Sequence, residues 1–233
     1  MECQASNRCP KFGQDNFCNK SCYGYLSLQI LFEQSQIPLR FQNWFRHNIP
    51  FSKRNPTATK AIRNYINNFP KHLEKGEGLY FFGQAPGTGK TTAACIIGNE
   101  FILANTFAAR QRCQVLFVNC SELMERLRKA INFTDDGLAE YLHLIDTVPL
   151  LILDDIGAER PSDWVRERFY NIINRRYNNL RPIIFTSNLS LDELEVNLGE
   201  RIRSRVEGIA FPVCFESKQD MRRRVGIIQS AGN

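Results

Sequence analysis

A glycine-rich turn between a short apolar run and a long helical pattern constrains the fold more than any other feature of the sequence. The apolar run covers residues 78–82, the turn covers residues 83–91 and reads GQAPGTGKT, and the helical pattern extends over residues 90–108. Glycines let the backbone wrap an anion with its N–H groups pointing inward, and the N-terminus of the following helix adds partial positive charge. The order of strand, turn and helix therefore predicts a phosphate-binding loop. A glycine-rich turn without a ligand is the disfavoured alternative.

The side chains of this turn have the chemistry that a bound nucleotide requires. Lys90 is expected to reach the β- and γ-phosphates, and the hydroxyl of Thr91 is expected to ligate Mg²⁺. Gln84 stands where the strict pattern has a glycine, and Gly83 lies one residue earlier. The variation falls at the loop entrance, so the phosphate-facing part is intact. The predicted nucleotide-binding residues of the loop are Pro86, Gly87, Thr88, Gly89, Lys90, Thr91 and Thr92.

Apolar strands alternate with helical patterns from Pro56 onward, which predicts an α/β fold with a parallel sheet covered by helices on both faces. The length of 233 residues suits one domain of roughly 170–200 residues with a small appendage. We therefore expect a cysteine-rich module with a helix in residues 1–36, a linker in 37–55, and the nucleotide-binding domain in 56–233. The expected strands are residues 78–82, 115–118, 150–153, 183–186 and 209–213.

Polar side chains follow two of these apolar strands. Asp154 and Asp155 come directly after the strand at 150–153, and Asn188 follows the strand at 183–186. Ligands of open α/β sheets bind beside the carboxyl ends of the strands. We expect Asp154 to hold Mg²⁺ through water, Asp155 to orient and deprotonate an attacking water, and Asn188 to contact the γ-phosphate or that water. Simple turn or helix-capping roles are the alternatives.

Four segments together resemble one branch of the AAA+ ATPases. They are residues 150–159 (LLILDDIGAE), 164–168 (WVRER), 185–188 (FTSN) and 198–205 (LGERIRSR). Their order and spacing resemble the DnaC, DnaI and IstB branch of this class, and the resemblance covers about residues 37–224. It implies an AAA+ fold and ATP hydrolysis, with Asn188 at the sensor I position.

The same resemblance implies roles for three arginines. Arg201 matches the arginine finger of the family, which acts on ATP bound to the neighbouring subunit, and Arg205 is the second choice for this role. Arg222 matches sensor II, which contacts phosphate in its own subunit. A finger that acts across an interface implies self-association into an AAA+ assembly. Plain surface arginines are the alternative at each position.

The resemblance further implies a replicative DNA helicase and single-stranded DNA as partners. In these loaders a small N-terminal domain grips the helicase, while the AAA+ domain binds single strands. The helix expected at 121–130 lies at the DNA-contacting position and has Arg126, Arg128 and Lys129, followed by Phe133. Basic side chains near an aromatic ring suit such contacts, although a solvated helix face is the alternative. The net charge of +6 permits nucleic-acid binding without requiring it.

Three functions are compatible with this pattern. The favoured function is ATP-dependent loading of a replicative helicase. The others are an IstB-like helper ATPase of a transposase, with the same core and a different client, and an adaptor that binds nucleotide without significant hydrolysis. A metabolite kinase is disfavoured, because no substrate-binding lid is evident and a paired acidic strand end suits hydrolysis.

Four cysteines are clustered near the start of the sequence. Cys3, Cys9, Cys18 and Cys22 could close a tetrahedral Zn²⁺ site and so fold a segment with little apolar core of its own. Their irregular spacing leaves unligated or redox-active cysteines as alternatives.

A short amphipathic helix is expected at residues 23–34, with Tyr25, Leu28, Leu31 and Phe32 near one face. This apolar stripe is expected to dock either on the nucleotide-binding domain of its own chain or on a partner. No run approaches the ~18 consecutive apolar residues of a membrane span, and an apolar signal core does not follow Met1. We therefore expect a cytoplasmic protein.

Overall fold

The structure, a computed structural model, describes residues 22–106, 114–132, 137–158 and 161–216. The strands within these ranges are β1 (Gly78–Phe82), β2 (Val115–Asn119), β3 (Leu150–Asp154), β4 (Ile183–Ser187) and β5 (Ala210–Cys214). They form one parallel sheet in the order β2–β3–β4–β1–β5. The expected α/β fold with a parallel sheet is therefore confirmed.

Helices cover both faces of this sheet. They are α1 (Tyr23–Ser35), α2 (Pro56–Asn67), α3 (Phe69–Lys75), α4 (Lys90–Asn105), α5 (Cys120–Asn132), α6 (Leu138–Thr147), α7 (Asp163–Asn178), α8 (Leu191–Leu198) and α9 (Glu200–Ile209), with a 3-10 helix at Leu39–Phe41. No helix within the described ranges is long and apolar enough to cross a membrane.

Two apolar layers, one on each face, hold the helices to the sheet. Leu79 and Phe81 of β1 face a layer that includes side chains of α1 to α4, whereas Tyr80 faces a layer that includes side chains of α5 to α9. Successive side chains of a strand point to opposite faces, so a strand buried on both sides reads as a continuous apolar run. This explains why the strands were recognisable in the sequence.

The order of the strands creates the crevice in which a ligand can bind. The chain leaves β1 through α4 and reaches the far edge at β2, then returns through β3 and β4 and passes β1 to reach β5. The connection that leaves β1 and the connection that leaves the adjacent strand β4 therefore run in opposite directions along the sheet. Such a switch point, at the carboxyl ends of parallel strands, is the usual ligand site of an open α/β sheet.

Prolines account for one difference from the expected elements. The helical pattern of residues 59–69 predicts a helix that is ended by Pro70. This helix stop is wrong, because Pro70 lies in the first turn of a separate helix, α3. Helix α2 likewise begins at Pro56 rather than at Thr59. The first turn of a helix needs no N–H donor from its residues, so proline is accepted there.

Helix α1 docks on the domain of its own chain. Its side chains Leu28, Leu31 and Phe32 are buried in the same layer as α4, whereas Tyr25 is half-buried. The apolar stripe was expected to dock either on its own chain or on a partner, and the structure contains the docking on its own chain. A different set of apolar residues, Tyr23, Leu26 and Ile30, is exposed on α1.

The segment 37–55, expected as a linker, is folded onto α4. A Cβ atom added to Gly98 of α4 would lie 3.0 Å from the Cδ1 atom of Ile37, so this glycine permits a close approach. The side-chain amide of Asn99 donates to the carbonyl oxygens of Phe41 and Trp44, each at 2.8 Å. The functional division of the chain at residues 36 and 55 stays a prediction, but these segments share one core with β1 and α4, the two elements that the nucleotide-binding loop joins.

Candidate nucleotide site

The glycine-rich loop joins β1 to the first residue of α4, as the sequence predicts. Gly87 and Gly89 have φ angles of 70° and 107°, a left-handed region that favours glycine. Lys90 is the first residue of α4 and is largely buried, and its Nζ donates to the carbonyl oxygens of Gly83 and Ala85 at 2.7 and 3.0 Å. The ammonium group is therefore held at the loop, next to the positive end of the helix dipole.

Thr88 provides a test of whether this loop fits a ligand. Its side chain is 1% exposed, yet its Oγ1 has no hydrogen-bond partner among the described residues. A buried hydroxyl without a partner is unfavourable by about 1–3 kcal/mol. An anionic, oxygen-rich ligand suits this combination of left-handed glycines, a helix N-terminus, an ammonium group and an unsatisfied hydroxyl. The loop therefore fits a nucleotide phosphate chain.

The two aspartates stand at the end of β3, beside β4. Asp154 is buried as the last residue of β3, and Asp155 follows with a φ angle of 60°. The hydroxyl of Thr186 donates to Asp154 Oδ1 over 2.6 Å and accepts from the backbone N–H of Asp155 over 2.9 Å. The left-handed backbone turns the chain sharply at Asp155, and aspartate tolerates this conformation better than most residues.

Asn188 is brought to Asp155, as expected for two polar strand ends of one sheet. Its Nδ2 donates to Asp155 Oδ1 over 3.1 Å. The same two loops are joined by the hydroxyl of Ser187, which donates to the carbonyl oxygen of Ile156 over 2.6 Å. Asp154, Asp155 and Asn188 thus form one polar cluster at the carboxyl edge of the sheet.

The arginines of α9 lie on aromatic rings of α7. The guanidinium of Arg201 stacks on the ring of Tyr170 at 4.0 Å, and a hydrogen bond from Arg201 lowers the pKa of this phenol. Arg205 stacks on Tyr177 at 4.9 Å, and its Nε donates to Asn174 Oδ1 at 2.8 Å. The structure thus places both candidate fingers on one face of the molecule. Arg222 lies outside the described residues.

The basic residues on α5 have partners within the chain. Lys129 forms an ion pair with Glu125 at 2.8 Å, and this contact lowers the pKa of the Glu125 carboxyl. The guanidinium of Arg126 stacks on the ring of Tyr141 at 4.7 Å. Phe133 lies outside the described residues. The basic face of α5 therefore exists, but part of its charge is compensated locally.

The cysteine cluster lies mostly outside the described part of the chain. Cys22 is half-buried with a free thiol, whereas Cys3, Cys9 and Cys18 are not among the described residues. Within the ranges that the structure does describe, no group of three or more histidine, cysteine or acidic side chains could hold a metal ion. The zinc site stays a prediction.

Sequence reasoning missed two residues that support the candidate site, Thr186, which contacts both aspartates, and Tyr170, on which Arg201 stacks. It also missed Arg176, a fully buried arginine of α7 that donates to carbonyl oxygens of Val148 and Pro182, near the amino ends of β3 and β4. A polar residue at the end of an apolar strand could have indicated Thr186. The pattern gives no comparable signal for the other two, because surface helices commonly contain tyrosine and arginine.

The comparison with protein families identifies the chain. Residues 63–204 match the family model described as IstB-like ATP binding protein. The chain belongs to this family. The matched range includes the glycine-rich loop, both aspartates, Asn188 and Arg201.

Individual relatives agree with this assignment. The chain is 35% identical over 139 residues to the replicative helicase loader DnaI of Bacillus subtilis, a match that covers 58% of this chain and 42% of the relative. It is 26% identical over 149 residues to the replicative helicase loader DnaC of Escherichia coli K12, covering 64% and 56%. A crystal structure of DnaI superposes with a TM-score of 0.63 and 28% identity, covering 76% of this chain and 93% of that one. The matches span about half the length of the two curated relatives.

Proposed function

We propose that this protein binds and hydrolyses ATP and uses the cycle to load a replicative DNA helicase onto single-stranded DNA. The observation that carries the proposal is the polar cluster of Asp154, Asp155 and Asn188, which lies at the same edge of the sheet as the loop of Lys90. Relatives named as helicase loaders are similar to 139 and 149 residues of this chain. A loader of this kind works in the cytoplasm.

The loop is proposed to bind the triphosphate. The backbone N–H groups at Pro86–Thr91 (proline excepted) surround the phosphates, and Lys90 exchanges its contacts with the carbonyl oxygens of Gly83 and Ala85 for phosphate oxygens. Thr88 gains a partner for its buried hydroxyl, and Thr92 lies on the same first turn of α4. Binding thus exchanges neutral carbonyl acceptors for charged phosphate oxygens at Lys90 and adds a contact at Thr88.

The acidic cluster is proposed to support hydrolysis. Thr91 and Asp154 would hold Mg²⁺, which would supply positive charge to offset that of the phosphates. Asp155 orients the attacking water and accepts its proton. Asn188 holds the carboxylate of Asp155 by its amide and is available to the γ-phosphate or the water.

The arginines are proposed to complete the site in an assembly. Arg201 acts as a finger on ATP of the adjacent subunit, where a guanidinium stabilises the charge that develops on the γ-phosphoryl oxygens. Its stacking on Tyr170 supports this role, because a ring beneath the guanidinium limits its motion. Arg205 is the second choice, and Arg222 is proposed as sensor II.

The partners are proposed to bind at separate places. Residues 1–36 grip the helicase, and the exposed apolar side chains Tyr23, Leu26 and Ile30 of α1 are available for this contact. Helix α5 with Arg126, Arg128 and Lys129 contacts single-stranded DNA.

A structural zinc ion bound by Cys3, Cys9, Cys18 and Cys22 is part of the proposal. Freshly purified, reduced protein is expected to carry about one zinc per chain, and Cys18→Ser with Cys22→Ser is expected to lose it while ATP binding persists. Metal analysis that finds no zinc in the reduced protein rejects the site.

The family description favours a second candidate, an IstB-like helper of a transposase. The two functions differ in their client. A pull-down with the full chain is expected to recover the replicative helicase of the same cell, and recovery of a transposase instead would favour the second candidate. A nucleotide-binding adaptor is distinguished by steady-state ATP turnover with and without single-stranded DNA, since an adaptor turns over no ATP in either condition.

A further inference from the structure

Thr186 occupies the junction between the two aspartates. It lies near the end of β4, after the apolar residues Ile183, Ile184 and Phe185, and its side chain is 2% exposed. A hydroxyl has one proton to donate and lone pairs to accept with. The N–H of Asp155 can only donate, so the Thr186 oxygen accepts there.

The single hydroxyl proton of Thr186 is therefore committed to Asp154 Oδ1, at 2.6 Å. An O–H···O⁻ contact of this length belongs to the strong, charge-assisted class. It fixes the rotamer of the Asp154 carboxylate. A carboxylate that is oriented by a neighbouring hydroxyl before a cation arrives does not have to be ordered by the cation itself.

The same hydroxyl also holds the backbone turn at Asp155. The N–H of Asp155 is bound by Thr186 while its carboxylate is bound by Asn188, so the residue is held at both ends in its left-handed conformation. Leu153 and Phe185 pair in register just before these contacts, so β3 and β4 form a common rigid base.

We propose that Thr186 is a positioning residue for the site, whose hydroxyl orients Asp154 toward the nucleotide's divalent cation and fixes the turn that aims Asp155. The inference rests on the proposed function, because it assumes that Asp154 takes part in cation binding. It differs from a packing role, in which Thr186 only fills space between β4 and its neighbours. The two roles are separable, since valine fills the space of threonine without a hydroxyl.

The experiment compares wild-type full-length protein with Thr186→Val and Thr186→Ser. In Thr186→Val the Mg²⁺ concentration for half-maximal ATP turnover is expected to rise about tenfold or more, with a fall in kcat at saturating Mg²⁺. The affinity for Mn²⁺ in the presence of ADP, followed by the loss of the free Mn²⁺ signal in electron paramagnetic resonance, is expected to fall by a similar factor. ADP affinity in EDTA is expected to match wild type, because the hydroxyl acts through the cation site.

Two further variants separate positioning from packing. Thr186→Ser retains the hydroxyl, so its Mn²⁺ affinity is expected to stay within about threefold of wild type. The Mn²⁺ affinity of the isosteric Thr186→Val is expected to fall outside this range. Thr106→Val is the matched control, because Thr106 is also buried and its Oγ1 donates to the backbone carbonyl of Ile102 at 2.9 Å. It lies at the opposite end of α4, roughly 24 Å along the helix axis from Lys90. If Thr186→Val does not fold, Thr186→Ala takes its place in the same assays.

The outcomes either support or overturn the inference. Weaker Mn²⁺ binding in the folded hydroxyl-free variant, with recovery in Thr186→Ser, supports it. Unchanged Mn²⁺ affinity in the hydroxyl-free variant overturns it, and so does a Thr186→Ser variant as impaired as valine. The Mn²⁺ affinity of Asp154→Asn is measured in the same assay. If Asp154→Asn also keeps wild-type Mn²⁺ affinity, the proposed cation site itself fails. If Asp154→Asn loses Mn²⁺ affinity and the hydroxyl-free Thr186 variant does not, only the role of Thr186 is removed.

Discussion

The side-chain amide of Asn188 donates to the carboxylate of Asp155 over 3.1 Å and joins the loops that follow two neighbouring strands. Both residues come immediately after apolar strands in the sequence, 33 positions apart. The contact aligns the carboxylate that is proposed to accept a proton with an amide that donates a hydrogen bond, which is the arrangement expected around an attacking water.

Asp155→Asn is expected to bind ATP normally and to hydrolyse it about 100-fold more slowly or worse, because the carboxylate that accepts a proton is removed. Asparagine tolerates the left-handed backbone at this position, so the fold is preserved. Steady-state turnover and ATP affinity are the measurements. Asp163→Asn, an exposed aspartate on α7, is the control. Unchanged turnover in Asp155→Asn removes this residue from the proton-accepting role.

Thr88→Val is expected to leave the unliganded protein as stable as wild type or more stable, because the buried hydroxyl lacks a partner in the described part of the chain. The same change is expected to reduce the rise in melting temperature that ATP produces, because a contact formed only with nucleotide is lost. Thermal unfolding with and without ATP measures both effects. A variant that is destabilised without nucleotide yet keeps the full ATP-induced rise contradicts the fit of this loop to phosphate.

Arg201→Ala is expected to bind ATP as wild type does and to lose hydrolysis. Mixing it with Lys90→Ala is expected to restore part of the turnover, since a mixed pair of subunits keeps one complete site with a finger from one chain and a loop from the other. Arg203→Ala is the matched control, because Arg203 pairs with Asp192, Glu195 and Glu207 of its own chain. No recovery in assemblies shown to contain both variants rules out a finger acting between subunits.

The parts of the fold with strong periodicity were predictable from the sequence. The strands ending at Phe82 and Asp154 were placed to within about one residue, because a parallel sheet buried on both faces requires unbroken apolar runs. The contact between Asp155 and Asn188 followed from the same logic, since carboxyl ends of parallel strands meet at one edge.

The remaining features depend on tertiary contacts that have no local signature. The docking of Ile37 against α4 requires the close approach that Gly98 permits, and no local sequence pattern indicates that these two residues are in contact. Arg176 is 0% exposed and donates to the backbone carbonyl oxygens of Ile145, Val148 and Pro182, whereas its place in the sequence resembles that of an ordinary surface arginine.

Arg176→Lys is therefore expected to lower the free energy of unfolding by on the order of 3 kcal/mol, because a single ammonium cannot reproduce the guanidinium fork inside the protein. Burial also lowers the pKa of Arg176 to about 9, so the buried charge depends on these carbonyl contacts. Arg175→Lys, which keeps an exposed pair with Asp146, is expected to change stability by less than about 1 kcal/mol. Chemical denaturation of both variants provides the comparison, and equal stability of the two contradicts the structural role of Arg176.

An introduced charge is expected to have different effects on the buried and the exposed face of helix α1. Leu28→Asp is expected to lower the melting temperature strongly, because Leu28 is buried in the layer that α4 lines. Ile30→Asp is expected to leave the melting temperature near that of wild type and to weaken helicase binding, because Ile30 is exposed on the same helix. Helicase binding that survives both Ile30→Asp and Leu26→Asp would move the client contact away from α1.

Helicase loading itself tests the central claim most directly. Unwinding of a primed single-stranded template by the replicative helicase of the same cell is measured with wild-type protein, with Lys90→Ala and with Lys75→Ala, an exposed lysine on α3 that serves as the control. Wild type and Lys75→Ala are expected to stimulate unwinding in the presence of ATP, whereas Lys90→Ala is not, because it lacks the ammonium group at the phosphate loop. Stimulation by Lys90→Ala equal to that by wild type, or no stimulation by the wild-type protein, would contradict the account.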